Sequence, residues 1–501
     1  MGIDRISRER LEASPGAVYT KTILEPGYNF MLDHYFYPLV ETNKAWTVML
    51  RETGIIGEDS AGALLDAILT LETEGPEGMG RFEPRYEYFY SHMEHYLIGK
   101  AGEEVAGEIN IGRTRPEPLV RMVTRGRILG ALEELGALCK TLLEIAEREA
   151  ETVMPQWTHF QHAQLSTVGH YLAGIVESLG RDSERLFAAY STTNRCTLGC
   201  GALAGSSYPL DRQLVADLLG FDGFVENTID CVSSSDFMLE TSAALANTMV
   251  TLSRLCQDLY IWHTEEFDFV VIGDEYAGSS SMMPQKKNAY PFEYVRARAA
   301  RAVGDMASAF GTLHNTNFQD IKDVEEEVVY PVFRSFDETS LSLRLLEGTI
   351  SSIEIKRDNM LEKASRGFGS CTELTARIHR QTDLSYRTAH RIVGNLVLRA
   401  YKQGKHATDV DAALVNESAR QVTGHNLDIA DDTVRTALDP TAFVEAHDVP
   451  GGPAPPVVRC AIQEARVRLE EHSRRISHAR EGLSRARGEL DTRVERLTTA
   501  S

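Results

Sequence analysis

Apolar residues in this chain recur at intervals of three and four over long stretches, interrupted mainly by Gly, Pro and polar clusters. Leu39, Trp46, Met49 and Leu50 fall on one helical face, and residues 61–74 repeat the spacing until Gly75-Pro76-Glu77-Gly78 breaks it. The longest pattern runs from Leu119 to about Thr152, with Leu132, Leu135, Leu138, Leu142 and Ile145 as its core positions. Residues 165–265 continue as long helices separated by one loop, and a charged helix is predicted from Val457 to Leu497, its polar face solvated or packed against a subunit. The prediction is a mainly α chain in three domains: an N-terminal helical domain over 1–108, a central bundle of long helices over 109–360, and a small helical domain with a long terminal helix over 361–501.

Composition narrows the partners. A formal charge of −21 argues against nucleic acid and anionic membrane surfaces, which both need a cationic face. No run of about 18 apolar residues exists to span a membrane, and the N-terminus lacks a signal-peptide core. The seven cysteines show no metal-ligand spacing and read as buried free thiols of a reducing cytoplasm. No metal or cofactor fingerprint stands out, so none is expected.

Against that acidic background, one cationic stretch carries chemistry. In Ala277-Gly278-Ser279-Ser280-Ser281-Met282-Met283-Pro284-Gln285-Lys286-Lys287-Asn288, a small hydroxyl-rich loop is closed by Pro284 and followed by ammonium and amide donors. Such a loop can close over an anion, and the fixed residues at its end distinguish it from a Gly/Ser linker. Arg113, Thr114 and Arg115 set two guanidinium groups around a hydroxyl before a helix, an arrangement for clamping a carboxylate or for a solvated capping turn. Thr158-His159 and Glu293 are, taken singly, ordinary polar residues.

The spacing Ser280-x-x-Met283-x-x-Lys286-x-Asn288 resembles the signature of the fumarase/aspartase superfamily, and Met283-Pro284-Gln285-Lys286-Lys287-Asn288 resembles its argininosuccinate lyase branch. Collinear similarity extends over roughly residues 28–455, through Thr158-His159, Leu198-Gly199-Cys200-Gly201-Ala202-Leu203-Ala204-Gly205 and the block from Asn227 to Ser233. Where that family has Gly before the catalytic Ser, this chain has Ser279. Pro116 stands in place of an Asn that touches substrate.

The resemblance implies an all-α homotetramer whose active sites pool residues from three chains. It implies a carbon–nitrogen lyase in which Ser280, or its neighbour Ser281, removes a proton beside a carboxylate. Lys286 and Asn288 would stabilise the resulting dianion, and Thr158 would bind a carboxylate. His159, held by Glu293 of another subunit, would handle protons or orient substrate. Arg113, Thr114 and Arg115 would place the second carboxylate, with Gln161, Met283, Asn317 and Lys322 completing the contacts. In argininosuccinate lyases the positions of Asn317, Lys322 and Glu325 hold Tyr, Gln and Lys, which contact the arginine part. A lysine replacing glutamine disfavours a guanidinium. The expected substrate is therefore an N-substituted aspartate with a different amine, such as ethylenediamine-disuccinate. Argininosuccinate itself and a non-catalytic, crystallin-like role are the alternatives.

Overall fold

The computed structural model describes residues 13–114 and 118–499. Long amphipathic segments become helices α1 (Glu25–Glu52), α2 (Glu58–Glu74) and α3 (Phe89–Ala101), followed by the 30-residue α4 (Leu119–Arg148). A hairpin then interrupts the helical run: β1 (Val153–Thr158) pairs antiparallel with β2 (Gln161–Thr167). Thr167 ends the hairpin and caps α5 (Val168–Thr193), its hydroxyl accepting from the His170 N–H.

Residues 194–235 fill the place of the one loop expected between long helices. They hold two short helices, α6 (Arg212–Leu218) and α7 (Thr228–Ser233), each capped by a side chain, Asp211 and Asn227. The bundle resumes with α8 (Asp236–Trp262), α9 (Tyr290–Leu313) and α10 (Val329–Ser351). β3 (Val270–Val271), which follows α8, pairs antiparallel with β4 (Glu354–Ile355), which follows α10.

Helices α4, α5, α8, α9 and α10 pack side by side, and their apolar faces form one core. Leu132, Leu135, Leu138, Leu142 and Ile145 all lie in it, as do Leu39, Trp46, Met49 and Leu50 of α1. The N-terminal helices therefore share the bundle's core. Each fully buried aliphatic side chain contributes about 1.5–3 kcal/mol to this packing.

Past α11 (Arg357–Arg366) the chain leaves the bundle. Helices α12 (Cys371–Gln381), α13 (Tyr386–Lys402), α14 (Ala412–Thr423) and α15 (Asp431–Leu438) enclose a separate small core of Leu374, Ile378, Ile392, Leu396, Val415 and Val434. The expected unit 361–501 divides here. Its terminal helix α16 (Pro455–Thr499) returns along α2, α4 and α5, and Val458, Ile462, Ala465, Ile476, Leu490 and Val494 enter the large core. No helix among the described residues is long and apolar enough to cross a membrane.

Candidate active site

The loop that follows β3 is closed by its backbone. Gly278 and Asn288 form a one-rung antiparallel bridge, with N–H···O bonds of 2.8 and 2.9 Å in the two directions, and the Asn288 side-chain amide also donates to the Gly278 carbonyl at 3.0 Å. Gly278 lies flat against the ring of Tyr290, where any Cβ would collide with it. His263, at the end of α8, sits between the Val270 and Lys287 carbonyls, and Lys287 pairs with Asp274 at 2.7 Å. Both loop stems are thus pinned to the bundle, while Met282, Met283 and Lys286 stay exposed.

Within this loop Ser280 is singled out. Its Oγ accepts the backbone N–H of Met283 at 3.0 Å and, more weakly, that of Met282 at 3.4 Å. Donors aimed at an oxygen favour negative charge on it, which a serine base requires. Ser281, the alternative base, is exposed next to it.

Thr158, His159 and Gln161 lie at the tip of the β1–β2 hairpin. His159 and Phe160 form its two-residue turn with φ of 55° and 58°, the left-handed geometry that normally selects Asn and Gly. Holding two side chains there costs about 1–2 kcal/mol per residue. The tip projects into solvent, with Phe160 72% exposed, while Trp157 anchors its base against Trp262, Phe267 and Phe269.

Glu293 occupies the first turn of α9, and within the chain its carboxylate accepts from the Tyr260 hydroxyl at 3.1 Å. That bond, followed by burial, raises the Tyr260 hydroxyl above its ordinary pKa. Among the described residues, no hydrogen bond or ion pair joins His159 to Glu293. Nothing in the sequence singles out Tyr260, because it is one of many aromatic positions on a long helix.

Thr114 and Lys322 are brought together at a cavity of about 400 Å³, with Tyr88 and Ser234 on its wall. Arg113 does not line it: its guanidinium donates to Asn43 at 2.7 Å and lies over Tyr90, while Nε and Nη2 are buried without a partner among the described residues. Two donors thus remain for an acceptor. Arg115 and Pro116 lie outside the described residues. Asn317 is exposed beside the strongly exposed Phe318.

Lys322 is paired within its own segment. Its ammonium donates to Glu325 at 2.9 Å and to Glu326 at 2.5 Å, above the ring of Tyr88. Desolvation would lower this lysine, but the two carboxylates outweigh it and hold the pKa above the ordinary range. Burial pushes Glu325 up, against the pull of Lys322. With Asp320 also on the wall, three carboxylates face two cations, Lys322 and an Arg121 already bonded to the Thr192 carbonyl. The acidic side chains on this wall outnumber the basic ones by one.

Residues 92–304 match the family described as Lyase, and residues 368–445 match that described as Argininosuccinate lyase C-terminal. Argininosuccinate lyase from Methanosarcina mazei is 34% identical over 478 residues, covering 94% of each chain. The chain belongs to the argininosuccinate lyase family. It is a carbon–nitrogen lyase of the fumarase/aspartase superfamily. The Methanothermobacter thermautotrophicus argininosuccinate lyase is 36% identical, covering 87% of this chain and 93% of its own. Among solved structures, EDDS lyase in complex with formate superposes with a TM-score of 0.87 at 28% identity, over 99% of this chain and 98% of its own. A class II fumarase from Schistosoma mansoni shares the fold at a TM-score of 0.68 and 15% identity, over 86% of this chain and 94% of its own.

Proposed function

We propose that this lyase releases an amine from an N-substituted aspartate to give fumarate, with Ser280 as the base. The observation that carries the reading is the Ser280 oxygen held by two backbone N–H groups on a loop pinned at both stems. An EDDS lyase variant solved with bound fumarate, 28% identical to this chain, supports the product class.

Removing a weakly acidic carbon-bound proton builds an aci-carboxylate dianion, and holding that charge is the largest electrostatic need of the reaction. Lys286 supplies an ammonium at the loop's exposed tip. Asn288 contributes the amide hydrogen now spent on a long 3.4 Å contact to Tyr290. Arg113, with two spare donors, Thr114 and Arg115 take the other carboxylate. A homotetramer would bring the exposed hairpin tip, with Thr158, His159 and Gln161, to the Ser280 loop and to Glu293 of other subunits. Ser281 and Met283 flank the base, and Asn317 and Lys322 border the amine end.

The acidic cavity around Lys322, Glu325 and Glu326 fits a cationic amine. That same observation favours a second reading, argininosuccinate itself, because its guanidinium meets carboxylates there and no free ammonium. A screen of argininosuccinate, ethylenediamine-disuccinate and related N-substituted aspartates, followed by fumarate absorbance, separates the two. Turnover of argininosuccinate alone selects the second reading, and turnover of another member selects the first. Absence of fumarate from the whole panel overturns both and favours the crystallin-like role.

A further inference from the structure

Arg121, in the first turn of α4, is 5% exposed and lines the cavity that holds Thr114 and Lys322. Its guanidinium lies 4.0 Å from the centre of the Phe237 ring, and Nη1 donates to the Thr192 carbonyl at 2.9 Å and, more weakly, to that of Thr193 at 3.4 Å. The group is thereby fixed in place. Among the described residues no acceptor serves its Nε or Nη2, the adjacent pair that grips a carboxylate side-on with two parallel bonds. Asp230 and Asp236 act on its charge but do not line the cavity. Both are engaged elsewhere: Asp230 accepts the Ser234 hydroxyl at 2.5 Å, and Asp236 accepts the Phe237 N–H at 3.0 Å. A guanidinium stays charged at any ordinary pH, so burying it without a counter-charge is unfavourable and leaves it open to an anion.

Two long helices begin on the same cavity. Pro118 and Leu119 open the 30-residue α4, Ser235 and Phe237 lie at the start of the 27-residue α8, and no side chain caps either helix. The Arg121 and Met122 N–H groups turn back to the Pro118 carbonyl, whereas those of Leu119 and Val120 meet no acceptor among the described residues. Uncapped helix starts add positive partial charge and free donors beside the buried cation. The Ser235 hydroxyl donates to the Val324 carbonyl at 2.8 Å, which ties the start of α8 to the segment carrying Lys322, Glu325 and Glu326. Arg121 therefore stands on the amine side of the cavity.

We propose that Arg121 and the starts of α4 and α8 form an anion subsite for an acidic group on the released amine itself, so that the amine is a carboxylate-bearing one, such as an amino acid, and not a simple alkylamine. The inference rests on the lyase reading above and narrows its substrate class. Arg121 takes the carboxylate through Nε and Nη2, while Glu325 and Glu326 on the adjoining segment face the amine's cationic group.

The test measures binding of paired amines to the full chain by calorimetry: arginine against agmatine, which lacks only the carboxylate, and N-(2-aminoethyl)aspartate against ethylenediamine, which lacks the acidic arm. The acid-bearing member of at least one pair is expected to bind about 10–100-fold more tightly, the range of hydrogen bonds to a charged group. Arg121→Gln should abolish that preference, and Arg121→Lys, which keeps the charge and loses the fork, should retain part of it. Equal affinity within both pairs, or no binding of any member, overturns the proposal, as does a preference that survives Arg121→Gln. If Arg121→Gln fails to fold, an undiminished preference in Arg121→Lys overturns it instead. Fumarate is not read in this assay, so a chain that prefers the acidic amines yet forms no fumarate fails the lyase reading and keeps the subsite.

Discussion

The Lys322 ammonium reaches the Glu325 carboxylate 2.9 Å away, one turn further along the same segment, with Glu326 on its other side. A cation placed in the cavity by sequence is thereby cancelled by its own neighbours. Replacing it with a neutral residue leaves both carboxylates for substrate. Lys322→Gln is expected to lower KM for a substrate with a cationic amine by roughly fivefold, about 1 kcal/mol, and Glu325→Gln to raise it similarly. Fumarate absorbance at varied substrate concentration reads both effects.

Ser280→Ala removes the proposed base and leaves the loop's backbone bridge intact. Turnover is expected to fall at least about 100-fold with unchanged circular dichroism. Full turnover in this variant, with loss in Ser281→Ala, would transfer the role to the neighbouring serine.

Gly278→Ala puts a methyl group into the Tyr290 ring at the loop's closing bridge. The loop stem must shift, whereas the bundle core is untouched. Activity is expected to drop well beyond any change in Tm, and Tyr290→Ala in the same chain should restore part of it by making room. Equal loss in the single and double variants would show that the contact does not set the loop.

Acid stability reports on Glu149, the carboxylate that ties the end of α4 to the start of α11. Burial alone would raise its pKa, but Arg357, bonding both oxygens at 2.7 Å, with Thr152 and Arg148, brings it down from 4.5 to about 2. A depressed folded pKa stabilises the protein above the unfolded value, and that stability is lost as pH falls through the folded one. About 3 kcal/mol should therefore disappear between roughly pH 4.5 and 2. Glu149→Gln should flatten the denaturant-midpoint profile over that window and lower stability at neutral pH.

The bundle was legible because its signal is local: Leu132, Leu135, Leu138 and Leu142 announce a buried face by spacing alone. The destination of α16 was hidden, because its few core residues, such as Ile462 and Leu490, are diluted among charges that read as solvated. The 153–167 hairpin was equally obscure, since its turn uses His159 and Phe160 where a legible one has Asn and Gly. The pairing of Lys322 was legible: carboxylates three and four residues along a helical turn mark a paired cation. Tyr260 at Glu293 was beyond reach, because the contact joins segments that only the tertiary fold brings together.

The return of α16 to the bundle has a consequence for the order of events during synthesis. The small core of residues 374–438 is complete before Val458 is translated, so it can fold as the chain emerges. The large core waits for Ile462, Ile476, Leu490 and Val494, although its other helices have long since left the ribosome. Throughout that interval α2, α4 and α5 stand with a strip of apolar surface bare, which α16 covers when it packs against them.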